Sequence, residues 1–239
     1  LTLIPLPFRS RVGPREMGKS LGYFPLVGLG LGLWLFGLDR LLGSVFPPPL
    51  VNALLIVSLV AITGALHVDG FMDVCDGLAA GRSREQRLQI MRDSRVGGLG
   101  VVGIFCLLLL KYLALGSVPG AQRGAALLVM PVLGRWTMVY SVLVFPYARS
   151  EGGVGEAFQK GVGLWQLVLA TLVAAGVSYL ALGLWGLAVM GVTGALLLGV
   201  GFFFNHRLGG LTGDTYGAID ELAEVIVLLG IAGLWGYGR

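Results

Sequence analysis

Hydrophobic residues in this chain form long continuous runs, which short polar segments separate. Residues 41–66 and 161–205 contain no Asp, Glu, Lys or Arg. Since a helix needs about 20 mainly apolar residues to cross a bilayer, the runs predict an all-α fold: a polytopic integral membrane helical bundle of about seven transmembrane helices, with a range of six to eight. The predicted spans lie near residues 21–38, 49–66, 98–117, 124–145, 163–181, 184–204 and 219–236.

The composition agrees with this interpretation. Only 13% of the 239 residues are charged, whereas a typical soluble domain has about 25%. This excludes a water-soluble enzyme and a disordered chain, and the continuous runs argue against a membrane β-barrel, whose strands alternate. We interpret residues 1–239 as a single integral membrane domain in contact with the lipid bilayer. Cys75 and Cys106 predict no disulfide, because one lies in a predicted inner loop and the other in a span.

Lysine and arginine are distributed unevenly between the predicted loops. With the N-terminus inside, twelve of these cations fall in inner segments and three in outer segments, while Lys111 and Arg135 lie within spans. Because cytoplasmic loops carry an excess of Lys and Arg, this predicts a cytoplasmic N-terminus. The net charge of +4 then reflects membrane topology, and no basic stretch interleaved with aromatic residues indicates a nucleic-acid partner.

Acidic residues cluster directly after the second predicted span. Asp69, Asp73 and Asp76 are spaced i, i+4 and i+7, which places them on one face of a helix. A carboxylate at mid-bilayer costs about 2.5–3.5 kcal/mol, so three together need a neutralising partner. Mg²⁺ is suited to this because it binds through one or two carboxylates and substrate phosphates; the alternative is a solvated acidic helix end. His67 is a metal ligand, a proton carrier or a polar residue that closes a helix.

A second acidic segment follows the sixth predicted span, on the side where the charge count also places the first. If a helix begins near Asp214, then Asp214, Glu221 and Glu224 share one face of it. The glycine-rich turn over residues 209–213 either presents backbone N–H groups to an anion at the helix start or simply caps the helix. Asp214 is a candidate fourth metal ligand. The candidate substrate-binding residues of this segment are Thr212, Gly213 and Thr215.

Five arginines lie between residues 82 and 95. Such a stretch either follows the positive-inside bias and contacts anionic lipid headgroups, or it binds substrate phosphates through guanidinium groups. Arg135 lies about 16 Å from either surface at 1.5 Å per residue, so we expect it to face the bundle interior and pair with an acid or a substrate phosphate. Lys111 lies nearer a span end, and we expect it to snorkel. The candidate substrate-binding arginines are Arg82, Arg84, Arg92, Arg95 and Arg135.

Small residues recur every four positions in two predicted spans. They are Gly28 and Gly32 in the first span and Gly191, Ala195 and Gly199 in the sixth. Because such ridges let membrane helices approach closely, we expect both to pack against neighbouring helices. They permit a homo-oligomer without requiring one.

Together these motifs resemble the cobalamin-5′-phosphate synthase family, also called adenosylcobinamide-GDP ribazoletransferases. The similarity covers nearly the whole chain and is strongest over the acidic segment 64–77 and the arginine segments 82–84 and 90–95. Shorter motifs that match are Pro5-Leu6-Pro7, Phe24-Pro25-Leu26-Val27-Gly28, Pro146-Tyr147-Ala148-Arg149 and residues 209–215.

The resemblance implies a Mg²⁺-dependent enzyme of the prokaryotic cytoplasmic (inner) membrane, with its active site facing the cytoplasm. It implies that adenosylcobinamide-GDP, a corrinoid-GDP, is joined to α-ribazole or α-ribazole 5′-phosphate with release of GMP, in the final steps of cobalamin biosynthesis. The catalytic residues would be His67, Asp69, Asp73 and Asp76, and the metal ligands would be Asp69, Asp73, Asp76 and Asp214.

Two other functions are weighed against this one. CDP-alcohol phosphotransferases, which transfer phospholipid head groups, share an Asp-Gly start and spaced aspartates on membrane helices. Here, however, Asp73-Val74 stands where those enzymes carry an Ala-Arg pair. An ion-coupled transporter would hold carboxylates near mid-bilayer, in interrupted helices of two related halves. In this chain the acids gather at predicted loops and helix ends.

Overall fold

The computed structural model describes residues 13–149 and 154–236, and within them the chain forms eleven α-helices and no β-strand. The prediction of an all-α bundle is confirmed. The Pro5-Leu6-Pro7 motif and the cations Arg9, Arg11 and Arg239 lie outside the described residues. The helices are α1 (Pro14–Ser20), α2 (Phe24–Gly43), α3 (Pro48–Ile62), α4 (Leu66–Ala80), α5 (Arg84–Ile90), α6 (Gly98–Ser117), α7 (Gly120–Val144), α8 (Val154–Gln159), α9 (Leu164–Leu182), α10 (Leu184–Leu208) and α11 (Gly213–Trp235).

Five helical stretches in the described part of the chain are long and apolar enough to cross a membrane. The first covers Arg15–Gly43, where a short 3-10 turn joins α1 to α2, and the others are α6, α7, α9 and α10. They coincide with five of the predicted spans. A bent pair, α3 with α4, would make a sixth. The count of seven spans and the cytoplasmic N-terminus stay predictions.

The second predicted span, 49–66, is not one straight helix. α3 ends at Ile62, and α4 leaves at an angle of 89°. The bend is made by Gly64 and Ala65, which both have left-handed backbone angles, with φ of 65° and 58°. Glycine adopts this conformation freely, whereas alanine does so at a cost. As a result, the acidic helix α4 does not continue the axis of α3 and instead packs beside α11.

α11 is the central helix of the bundle. It packs against α4, α6, α7 and α10, and most of its residues are buried. The seventh predicted span, 219–236, overlaps α11 up to Trp235, but α11 also carries three buried acids: Asp220, Glu221 and Glu224. Its position is therefore set by contacts with other helices more than by contact with lipid.

Two glycines of α2 allow it to pack closely along α7. A Cβ at Gly28 would overlap the carbonyl group of Pro131, and one at Gly32 would lie 2.8 Å from the Cα of Leu128. The predicted packing ridge of the first span is confirmed. The other ridge is not: a Cβ at Gly191 or Gly199 would meet nothing within 4 Å, so these glycines serve no helix contact among the described residues.

Gly28→Ala should lower the midpoint of thermal unfolding, because the new methyl group overlaps the backbone of α7 and overpacking costs about 1–3 kcal/mol. The matched control is Gly30→Ala in the same helix, where a Cβ meets nothing within 4 Å. This variant should leave the midpoint unchanged or raise it, since alanine is the better helix former. Intrinsic fluorescence of the detergent-purified variants during heating measures both midpoints. Equal midpoints for the two variants would contradict the close packing of α2 on α7.

Candidate active site

Three aspartates share one face of α4, as their spacing predicts. Asp69, Asp73 and Asp76 all line one cavity of about 310 Å³, here called the acidic cavity. Its remaining walls come partly from the segment that follows α5. Those further lining residues are Met72, Met91, Arg92, Asp93, Ser94, Arg95 and Val96. The structure thus places carboxylates and two of the candidate arginines around a single space.

Close contact between α4 and α11 brings the second acidic segment to the same place. A Cβ at Gly70 would lie 2.9 Å from the Cα of Asp214, and a Cβ at Gly217 would lie 3.0 Å from the Cα of His67. Because neither glycine has a side chain, the two helix backbones approach directly. Asp214 therefore lies beside the helix face that carries Asp69 and Asp73.

A second, mainly apolar cavity of about 410 Å³ adjoins this contact. Asp69 lines both cavities, while His67, Gly213 and Asp214 line only the apolar one. The other residues that line the apolar cavity are Leu21, Phe24, Leu66, Met138, Val142, Tyr147, Arg149, Gly155, Phe158 and Tyr216. The acidic cavity and the apolar cavity are therefore neighbours.

Burial and neighbouring negative charges raise the pKa of two carboxyl groups of this cluster, Asp73 and Asp214, which both lie outside the predicted spans. Burial, followed by the negative charges of Asp214 and Asp69, raises the pKa of Asp73 to about 7. Burial also raises the pKa of Asp214, although the guanidinium of Arg149 acts in the opposite direction. Such a cluster favours a positive partner, whether a proton or a metal cation.

Asp76 also has a structural role that the sequence did not reveal. Its Oδ2 accepts a hydrogen bond from the backbone N–H of Gly97 at 2.8 Å, and its Oδ1 accepts one from Gly100 at 2.7 Å. These are free N–H groups at the start of α6, where a carboxylate is favourable. Asp76 therefore caps α6 across the bundle, and its role as a metal ligand stays a prediction.

The turn before α11 uses its threonines for capping, the alternative left open above. The Oγ1 of Thr212 accepts from the backbone N–H of Thr215, and the Oγ1 of Thr215 accepts from that of Thr212 at 2.8 Å. Both side chains are fully buried. Their hydroxyl groups stabilise the helix start, and their predicted substrate contacts stay a prediction. Gly213 borders the apolar cavity and remains a candidate.

The predicted arginines fall into different environments. Arg84 and Arg92 line a third cavity of about 420 Å³, here called the arginine cavity, together with Arg149. Arg95 pairs with Asp93 at 2.6 Å and borders the acidic cavity. Arg82 is exposed and borders a separate surface depression. Arg84 also donates to the backbone carbonyl of Ala148 at 3.1 Å.

Arg149 is a residue of the site that sequence reasoning missed. Its Nη2 lies 2.6 Å from Oδ2 of Asp214, and its side chain borders both the apolar cavity and the arginine cavity. Its segment follows α7, far in sequence from the acidic motifs. The only signal was the short motif over residues 146–149, which says nothing about a partner.

Buried ion pairs extend from the site into the bundle. The Nδ1 of His67 lies 2.6 Å from Oδ2 of Asp220, and Nη1 of Arg135 lies 3.1 Å from the same oxygen. Arg135 also pairs with Glu224. Arg135 thus faces the interior and pairs with acids, as one of the two alternatives predicted. Arg135 is 1% exposed and lines none of these three cavities, and its assignment to substrate stays a prediction.

Lys111 completes this network from α6. Its Nζ lies 2.6 Å from Glu221 and 2.7 Å from Glu224. The side chain is 1% exposed, so the expectation that Lys111 snorkels to the surface is wrong. The buried carboxylates of α11 attract it inward, because an unpaired charge in an apolar interior is far more costly than a paired one.

One set of three potential ligands in the described part of the chain has its atoms within 4.8 Å of one another, namely His67, Asp220 and Glu221. This set already contacts Arg135 and Lys111, which leaves little need for a further cation. The four predicted metal ligands form no such close set. Their carboxylates would have to draw together around a cation, as like charges without one repel each other.

Comparison with known proteins identifies relatives over nearly the whole chain. The family profile described as cobalamin-5-phosphate synthase matches residues 1–232. Curated proteins named adenosylcobinamide-GDP ribazoletransferase are similar: that of Geotalea daltonii is 41% identical, covering 99% of this chain and 95% of the relative. The protein of Desulforamulus reducens is 39% identical over 95% and 91%, and that of Pseudomonas putida 40% over 97% and 95%. No solved structure matches the chain.

Lys111→Met should destabilise the protein by about 3–5 kcal/mol, because it leaves Glu221 and Glu224 buried with too little positive charge. Lys160→Met is the matched control. Lys160 pairs with Glu156 at the exposed surface, where such a pair contributes about 0–1 kcal/mol. Chemical unfolding in detergent, followed by tryptophan fluorescence, measures the difference. If the two variants unfolded at the same denaturant concentration, the buried network would not stabilise the bundle.

Proposed function

The chain belongs to the cobalamin-5-phosphate synthase family, and we propose on this basis that it is an adenosylcobinamide-GDP ribazoletransferase. It joins adenosylcobinamide-GDP to α-ribazole or α-ribazole 5′-phosphate and releases GMP, in the final steps of cobalamin biosynthesis. The observation that carries the proposal is the similarity to relatives of this name over 95% or more of the chain.

Mg²⁺ is the proposed cofactor, held by Asp69, Asp73 and Asp214 with Asp76 beside them. The residues fit a hard cation, because α4 and α11 present carboxylate oxygens at one place and Asp73 has a raised pKa there. When bound, Mg²⁺ would supply positive charge to the diphosphate and to the departing GMP. The adjoining arginines would supply further positive charge, since a diphosphate carries negative oxygens on more than one side.

The protein's own residues position the two substrates for transfer of the phosphoryl group. Arg84, Arg92 and Arg95 bind phosphate oxygens of the corrinoid-GDP from the walls of the arginine and acidic cavities. The apolar cavity, at about 410 Å³, is of a size for the base and sugar of the ribazole. Phosphoryl transfer requires mainly such positioning and charge neutralisation. Where the acceptor is a hydroxyl group, His67 or one of the aspartates accepts its proton.

The site is proposed to face the cytoplasm from the inner membrane. Asp69, Asp73, Asp76, Asp214 and the arginines of residues 82–95 lie between predicted spans, in segments that the distribution of Lys and Arg assigns to the inner side. Nucleotide-linked substrates are supplied on that side. The arrangement would let the apolar helices anchor the enzyme while charged substrates enter from water.

The direct test of the function is to incubate the detergent-purified protein with adenosylcobinamide-GDP and α-ribazole, with Mg²⁺ or with EDTA. Release of GMP together with a joined corrinoid product, dependent on Mg²⁺, is the expected result. Because the assay contains no vesicles or gradient, bond cleavage also separates an enzyme from an ion-coupled carrier. Release of CMP from a CDP-alcohol, with no reaction of the corrinoid, would instead support a phospholipid head-group transferase.

Asp73→Asn should lower the rate of GMP release at least about 100-fold, while the protein remains folded in the membrane. The amide keeps the size of the side chain but removes the charge that the cation requires. The matched control is Glu156→Gln, which neutralises a surface carboxylate paired with Lys160 and should retain activity. Wild-type turnover of Asp73→Asn at saturating Mg²⁺ would contradict the metal-site assignment.

A further inference from the structure

The backbone around Arg149 is held in place where the apolar cavity and the arginine cavity meet. The chain before it pairs with the turn before α11: the N–H of Ala148 donates to the carbonyl of Leu211 and the N–H of Leu211 donates to that of Pro146, both at 2.8 Å. Arg84 fixes the carbonyl of Ala148 as well. The main chain at this point is thus anchored by hydrogen bonds, so a change of partner would require movement of the Arg149 side chain alone.

The guanidinium of Arg149 contacts the carboxylate of Asp214 and the hydroxyl group of Tyr147, but these two partners do not use all of its donors. A guanidinium carries five N–H donors in a planar fork. Nη2 donates to Oδ2 of Asp214 at 2.6 Å, whereas Nε is buried and has no hydrogen-bond partner. A buried N–H without a partner is costly. An acceptor with several oxygens, placed in either adjoining cavity, would also satisfy Nε, which the present contacts leave without a partner.

We propose that Arg149 is a phosphate-binding residue that exchanges partners: it leaves its ion pair with Asp214 and binds a phosphate of the nucleoside-diphosphate substrate when Asp214 turns to a divalent cation. This inference rests on the proposed function, because it assumes a substrate that carries a diphosphate and a divalent cation.

The exchange follows from the charges around Asp214. Its carboxylate lies next to Asp69 and Asp73, so Arg149 supplies positive charge that this group needs. A divalent cation would supply more charge to the same carboxylates, and the attraction between Arg149 and Asp214 would then weaken. The arriving diphosphate offers the released guanidinium a bidentate acceptor. Arg149 thus stabilises the site in both states, with a different partner in each.

The first test measures binding of GDP to the full-length protein in detergent with Mg²⁺, using variants Arg149→Gln and Arg149→Lys. Loss of a charge-assisted hydrogen bond to phosphate should weaken binding of GDP about 10–100-fold in Arg149→Gln. Arg149→Lys should lose less, because it keeps the charge but not the fork. Arg40→Gln, which removes an exposed arginine of α2, is the control and should bind GDP like the wild type. GDP binding by Arg149→Gln equal to that of the wild type would overturn the proposal, as would a wild type that binds no GDP.

The second test addresses the exchange itself and is done in EDTA. Asp214→Asn should bind GDP more tightly than the wild type, because Arg149 is released from its ion pair. In the Arg149→Gln background the same change should have a much smaller effect, so the double-mutant cycle isolates the coupling between the two side chains. Equal effects of Asp214→Asn in both backgrounds would mean that Arg149 does not exchange partners. Neither test requires turnover, so the outcome is independent of whether GMP release is observed.

Discussion

Charges buried in an apolar helical bundle must neutralise one another, and the position of α11 follows from this constraint. Its three buried acids require positive partners, because an unpaired charge in such an interior is strongly destabilising. Lys111 of α6 and Arg135 of α7 supply the positive charge, and the imidazole of His67 on α4 contacts Asp220. α11 can therefore occupy only the centre of the bundle, in a register that brings each acid to its cation.

The candidate active site lies at one end of the same arrangement. His67 belongs to the buried network, and two residues further along α4 Asp69 borders both the acidic and the apolar cavity. The direct contact of α4 and α11 at Gly70 and Gly217 fixes the position of Asp214 relative to the buried network. Asp76 also connects α4 to α6, because its carboxylate caps the start of α6. The acidic cluster is thus held by helices whose packing is fixed deeper in the bundle.

The sequence was sufficient for features that depend on local spacing. Long apolar runs predicted the all-α bundle, and intervals of four and three residues placed Asp69, Asp73 and Asp76 on one face. The bend at Gly64 and Ala65 was missed, since alanine in a left-handed conformation has no sequence signal.

Contacts between distant segments were the other part that the sequence did not reveal. Lys111 and Glu221 are 110 residues apart, and Arg149 and Asp214 are 65 apart. No periodicity connects such positions, so a lysine near a span end was expected to snorkel and Arg149 was not assigned to the site. Only the packing of α11 among its neighbours decides which acids these cations meet.

The central claim is that α4 and α11 together form a site for a divalent cation where Asp214 lies beside Asp69 and Asp73. Mn²⁺, which suits the same oxygen ligands as Mg²⁺, makes this measurable by electron paramagnetic resonance on the detergent-purified protein. The wild type should bind Mn²⁺, Asp73→Asn and Asp214→Asn should each lose that binding, and Glu221→Gln should retain it. Loss of Mn²⁺ binding in Glu221→Gln, with both aspartate variants unaffected, would place the cation in the buried set of His67, Asp220 and Glu221 and contradict the account.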